Sequence, residues 1–383
     1  MTDDEPFSAN PALLPAGLSD LLPPEAAREA ALVEAMMAVF ASHGYERVKP
    51  PLLEFEEGLL TGSGAALADQ TFRLMDPVSQ RMMGLRADTT PQVARIAATR
   101  LGGAPRPLRL SYAGQVLRVR GTQIAPARQL PQLGVELIGV DSAEADAEAA
   151  ALGVEALAAV GITDVALDIT LPAMSPALLD AAGLEGAARQ RLARALDRKD
   201  AAEVATLAEA AGPPAIFLTG LLAAAGPADG ALAALRAAPL PEGPRRIADN
   251  AADVVAALRR RVPGLRITLD PVEFRGFRYH TGVAFTLYGP GRTGELGRGG
   301  RYTSGEEPAT GLSLYPDAAL RAAPVAPAAD RVFLPEGHDP AVAAALRGKG
   351  WVTVAALSAA DDARALGCTH ELRGDAPAAL EKE

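Results

Sequence analysis

Four stretches of the chain gather side chains that bind or ionise where the surrounding pattern is that of strands or strand ends. In LRADTTPQ, residues 85–92, Asp88 and Thr90 stand where an extended segment meets a helix. A carboxylate and a hydroxyl there can hold an ammonium group, or simply cap the helix. In VLRVRG, 116–121, Arg118 and Arg120 share one strand face by period two, either as a solvated face or as cations for an anion. In ARQLPQLGVELIGV, 127–140, Gln132 and Glu136 project to the same face as Leu130 and Gly134, while Val135 and Leu137 face away. A Glu and a Gln flanking a Gly on a central strand make a poor structural face, because a buried carboxylate needs a partner. The fourth stretch, VEFRGFRYHTGVAFTLYGPG at 272–291, sets Arg275, Tyr279 and His280 among glycines on a ribbon of aromatic and β-branched residues. Taken singly, each stretch has a structural reading; four on one sheet point to a ligand.

The elements that would position them can be read from periodicity and punctuation. PPEAAREAALVEAMMAVFASHG predicts a helix that stops at Gly44 and buries Val33, Met36, Met37 and Phe40. YERVKPPLLEF is extended, with Pro50 and Pro51 marking a sheet edge or interface. TFRLMDPVSQRMMGLRAD reads as a hairpin, and TTPQVARIAATRLGG as a helix with Thr90 at the N-cap and Pro91 at its first position. Strands over 105–139 and 266–300 are expected to share one sheet. Between them come a helix with an acidic first turn from Asp141, a strand DVALDIT, and Ala/Leu-rich helices. The expected organisation is a core over 1–321 with a mostly helical insertion at about 172–264, a Pro/Ala linker at 322–330, and a small α/β unit over 331–383. That tail reads as strand, helix, strand, helix, strand. The fold class is α+β, an antiparallel sheet flanked by helices.

Bulk properties narrow the chemistry. The 383 residues carry a net charge of −10, which argues against a phosphate-gripping nucleic-acid surface. One cysteine, Cys368, leaves no disulfide framework, and the acidic N-terminus MTDDEPFSAN is not a secretory signal. Both fit a cytoplasmic protein. Four histidines and one cysteine give no metal-ligand spacing, and neither a phosphate-binding Walker loop nor a dinucleotide glycine motif is present, so no metal or cofactor is expected.

In order along the chain, GLSDLLPPEA, GYERVKPPLLE, LRADTTPQVAR, QVLRVR, ARQLPQLGVELIG, RGFRYHTGVAF and GGRYTSG resemble histidyl-tRNA synthetase, over roughly residues 10–321. The resemblance implies the class II aminoacyl-tRNA synthetase fold, dimerising through the motif 1 segment around Pro51. It implies that Asp88, Thr90 and Gln132 hold the α-amino group of histidine, and that Glu136, Tyr279 and His280 hold its imidazole. Arg275 would stand near the carboxylate, and Arg118 keeps the motif 2 arginine of the same histidine-binding set. His280 replaces a second tyrosine, and Asp88 is one methylene shorter than the usual Glu.

The ATP half departs further. Arg120 stands where motif 2 has its adenine-side Glu. Motif 3 reads GLSLYPDAALRA, with Tyr315 for a glycine, then Pro316, and with Asp317 and Ala318 at the Glu and Arg positions. Losing such an electrostatic clamp costs ~10²–10³ in rate. Only 53 residues follow Asp330, against about a hundred for a full anticodon-binding domain. A pocket kept and an activation site lost resembles the synthetase paralogues that regulate ATP phosphoribosyltransferase. That implies no catalysis by this chain, a short-form catalytic partner in a hetero-octamer, and histidine as feedback effector. The alternative is an active or divergent histidyl-tRNA synthetase.

Overall fold

The computed structural model describes residues 13–121, 126–273, 279–291, 294–325, 327 and 329–381. The chain separates between Ala323 and Pro324 into two compact units. The first opens with helix α1 (Glu25–Ser42), whose buried stripe is Leu32, Met36, Met37 and Phe40. Leu32 takes the place expected for Val33, which packs only partly buried against the core. Strand β1 (Glu46–Arg47) follows. Then β2 (Leu53–Phe55), α2 (Glu56–Leu59), β3 (Arg73–Met75) and β4 (Met82–Leu85) build a small antiparallel sheet in the order β2-β4-β3. Pro50 and Pro51 lie in the gap between β1 and β2. Their carbonyls accept from Arg86 Nη1 (3.2 Å) and Gln92 Nε2 (2.9 Å).

Helix α3 runs Thr90–Thr99, and its N-cap is Thr89, one residue before the expected Thr90. The reason is Asp88, whose Oδ1 accepts from the Thr90 N–H at 2.9 Å and so draws Thr90 into the first turn. The long strands β5 (Leu108–Leu117) and β6 (Gln129–Ile138) pair antiparallel over their full lengths. Helix α4 (Ala143–Ala159) starts at the Ser142 cap, and β7 is Ala166–Thr170. The helices α5 (Met174–Ala181), α6 (Gly186–Asp197), α7 (Ala201–Ala211), α8 (Phe217–Ala223), α9 (Ala228–Ala237) and α10 (Glu242–Arg261) come next. A two-residue strand, β8 (Gly226–Pro227), interrupts them and pairs with β9 (Arg266–Asp270). Strands β10 (His280–Tyr288), β11 (Glu295–Ser304) and β12 (Glu307–Leu314), then α11 (Pro316–Ala322), complete the unit.

Among the described residues nine strands form one sheet, in the order β1-β5-β6-β12-β11-β10-β7-β9-β8. It is antiparallel except at β1·β5 and β7·β9, so segments more than 120 residues apart meet as expected. Period two divides it into two faces. Leu133, Val135, Leu137, Phe285, Leu287, Leu312 and Leu314 point into a large core with α1, α4 and α10. Each such side chain contributes about 1.5–3 kcal/mol on burial. The other face packs Leu108, Leu110, Tyr112, Ile138, Tyr302 and Ala309 against Val93 and Ala97 of α3. Arg301 ties α4 to the sheet: it meets buried Asp146 at 2.8 Å, and Thr310 donates to that same carboxylate at 2.5 Å.

Among its described residues the second unit is a four-stranded sheet, β14-β13-β15-β16, with one helix. Its elements are β13 (Arg331–Leu334), α12 (Pro340–Gly348), β14 (Val352–Ala355), β15 (His370–Arg373) and β16 (Ala376–Ala379). The second helix expected here is absent; 357–367 is a run of turns. Asp361 accepts from the N–H groups of Leu357 and Ser358, at 2.6 and 3.0 Å, and so offers this backbone a local alternative to helix. Strand β16 pairs antiparallel with β15.

Candidate functional site

The α3 face of the sheet has a trough where side chains are missing. Gly134, Gly311 and Gly300 come from β6, β12 and β11, with Glu136 opposite Gly311 and Gly311 opposite Gly300. A Cβ on Gly311 would sit 2.0 Å from Glu136 Oε2, and one on Gly134 would sit 2.1 Å from the Leu312 carbonyl. Around this floor stand Asp88, Thr90, Glu136, Tyr279, His280, Arg298, Tyr302, Ser313 and Tyr315. The space they leave is about 30 Å³, room for a water or two. Tyr279, 41% exposed, stands at the rim.

One wall is a hydrogen-bonded group built on the loop before α3. Asp88 Oδ1 accepts from Thr90 N–H (2.9 Å) and from Gln132 Nε2 (3.2 Å). Gln132 Oε1 takes the Thr89 N–H at 3.0 Å, and its Nε2 also donates to Ser313 Oγ at 3.0 Å. Among the described residues no donor meets the second Asp88 oxygen, which leaves it for a ligand. Buried Arg86 anchors this loop, donating from Nε to the Gln115 carbonyl at 2.7 Å. A side chain at Gly114 would strike that guanidinium.

At the deep end Glu136 is 1% exposed, and the Tyr302 hydroxyl donates to its Oε2 at 2.8 Å. Burial pushes the Glu136 carboxyl up to about 8; Tyr302, Thr90 and Tyr112 pull it back only in part, and nearby Asp88 raises it further. Its hydrogen-bonding neighbours are hydroxyls, so ionisation calls for a cationic or N–H-bearing ligand. His280 lies in register with Tyr302, made possible by a bulge between His280 and Ala284. The Tyr279 ring, one residue before the strand, stacks on it at 4.0 Å. Adjacent residues of a regular strand would face opposite ways; the strand start and the bulge let both line the pocket.

The other end is closed off differently. Tyr315 lines the pocket directly before α11, and burial raises its pKa while Arg298 and Arg118 act against that. Arg321, three residues beyond Ala318, is 65% exposed and pairs with Asp317 at 3.2 Å. It does not reach the trough.

The expected residues separate accordingly. Asp88, Thr90, Glu136, Tyr279 and His280 line the pocket, and Gln132 is bonded to that lining. Arg118 stands outside the lining, with a buried Nε that finds no hydrogen-bond partner among the described residues. Arg275 lies outside the described residues. The sequence reading missed Arg298, Tyr302, Ser313 and Tyr112. Counting period two along ELGRGGRYTSG puts Arg298, Gly300 and Tyr302 on one face, the signal that had placed Gln132 and Glu136.

Sheet, trough and motif order together define a synthetase-like domain: residues 17–319 match the histidyl-tRNA synthetase family model. The chain is 55% identical to ATP phosphoribosyltransferase regulatory subunits of Paramagnetospirillum magneticum and Rhodospirillum centenum, covering 96% and 97% of this chain and 98% and 96% of theirs. The chain therefore belongs to the ATP phosphoribosyltransferase regulatory subunit family, within the histidyl-tRNA synthetase relatives. A solved structure from Bacillus halodurans, described as an ATP phosphoribosyltransferase regulatory subunit/histidyl-tRNA synthetase, superposes with a TM-score of 0.79 at 25% identity, over 96% of this chain and 97% of that one. Histidyl-tRNA synthetase from Nostoc sp. PCC 7120 shares the fold, with a TM-score of 0.76 at 20% identity, over 94% and 90% of the two chains.

Proposed function

We propose that this chain binds histidine in the trough and performs no chemistry on it, acting instead as the feedback-sensing partner of a short ATP phosphoribosyltransferase catalytic subunit in the first step of histidine biosynthesis. The observation that carries this is a buried Glu136 at the end of a polar, glycine-floored pocket whose other end is filled by Tyr315. An ammonium fits Asp88, Thr90 and Gln132, and a ring N–H fits Glu136. Arg118 and Arg275 complete the set on the resemblance alone. Arg321 is held in an ion pair with Asp317 outside the trough lining, so it is not set to clamp a triphosphate.

Feedback needs histidine to bind two states of the assembly unequally. The family's name supports a catalytic partner, and the synthetase likeness is the ground for a homodimer through the segment around Pro51. The small sheet beside it exposes Leu53, Leu74, Met75 and Met82, a surface suited to a second copy. Pyrophosphate exchange with ATP and histidine tests the non-catalytic part. Exchange at background level is expected, together with histidine binding by calorimetry. Exchange at synthetase rates would return the chain to the alternative, an active or divergent histidyl-tRNA synthetase.

A further inference from the structure

Arg298 enters the trough from β11 and belongs to none of the four stretches first singled out. It lies in register with Ser313, which in turn faces Gly134 and, beyond it, Tyr112. Gln132 donates to Ser313 from the far side, where it also holds Asp88. Ser313 therefore separates the ammonium-binding group on β6 and α3 from a guanidinium on β11. Two strand spacings, ~10 Å, part the two groups, which suits an α-ammonium and an α-carboxylate each bonded outward.

Glu295 already occupies Arg298. Nε and Nη2 donate to the two carboxylate oxygens at 2.5 and 2.6 Å, in the fork geometry a ligand carboxylate would also present. The pair is part-exposed, 41% at Arg298 and 26% at Glu295, so a ligand can reach it from solvent. It can be exchanged.

We propose that Arg298 binds the α-carboxylate of the amino-acid ligand, exchanging Glu295 for it, and so makes the pocket select α-amino acids over the corresponding decarboxylated amines. This deepens, and rests on, the reading of the trough as a histidine pocket. Calorimetric titration of the full chain with histidine and with histamine tests it. The wild type is expected to prefer histidine on the order of ten- to a hundredfold, the worth of one charge-assisted contact. Arg298→Gln removes that preference by weakening histidine alone, and its retained histamine binding reports an intact pocket. Glu295→Gln tightens histidine two- to fivefold, roughly the weight of a part-exposed pair. A preference undiminished in Arg298→Gln, or a Glu295→Gln variant that weakens histidine, overturns the exchange while leaving the pocket reading in place. If Arg298→Gln loses both ligands, the Glu295→Gln result decides. A wild-type chain that binds neither ligand overturns the pocket reading, and this inference with it.

Discussion

Glu136 is the residue on which ligand charge turns. With its carboxyl at about 8 and a free imidazole near ~6.5, pocket and ligand together hold one proton between those values. One proton is what a carboxylate–imidazolium pair requires. Above pH 8 the pocket has lost it, and histidine affinity should fall about tenfold per pH unit. Below about pH 6.5 the ligand brings a second proton that must leave, and affinity should fall again. Titrations from pH 5 to 9.5 check this; affinity rising monotonically with pH contradicts the shared proton. Stability follows the same group. Its folded pKa is raised from 4.5, so its favourable contribution is whole below pH 4.5 and lost as pH rises through about 8. Glu136→Gln should therefore match the wild type near pH 4.5 and exceed it by ~3 kcal/mol near pH 8, read from denaturant melts at both values.

At the scale of elements, the trough exists because three neighbouring strands each place a glycine on one face. Gly311→Ala drives a Cβ into the Glu136 carboxylate, a side chain that can turn at the expense of the pocket. Gly134→Ala drives one into the Leu312 backbone carbonyl, which cannot turn. Both variants should lose histidine binding in calorimetry. In melts the first should cost about 1–2 kcal/mol and the second distinctly more, about 3 kcal/mol or above. Equal costs would mean the floor is not backed by backbone as described.

The elements were also where the sequence was most and least legible. The face of β6 could be read from alternation alone, because Gln132, Gly134 and Glu136 differ so sharply from Leu133, Val135 and Leu137. The start of α3 was misplaced by one residue, because two threonines compete and the deciding hydrogen bond comes from Asp88. The last helix of the tail failed because Asp361 satisfies backbone locally, an energy that hydrophobic periodicity does not register. Arg298 escaped because its register mate Ser313 becomes its neighbour only once β11 and β12 are aligned, and because a register shift on β11 brings Glu295, three positions earlier, onto it.

For the whole molecule, the first unit contains every lining residue of the trough, from Asp88 to Tyr315. On the proposed function, the feedback signal would originate in that unit. The exposed Met75 and its neighbours on β2, β3 and β4 are the proposed self-contact. Met75→Glu should shift the mass measured by light scattering from dimer towards monomer, and an unchanged mass would move the interface elsewhere.

The reading as a whole meets its most direct test in histidine inhibition of a reconstituted complex with a short-form ATP phosphoribosyltransferase. The predicted result is co-purification of both the wild type and Glu136→Ala with the catalytic subunit, with the variant needing at least tenfold more histidine to inhibit. Inhibition by histidine at the same concentration in both would contradict this pocket as the place where the feedback signal is read.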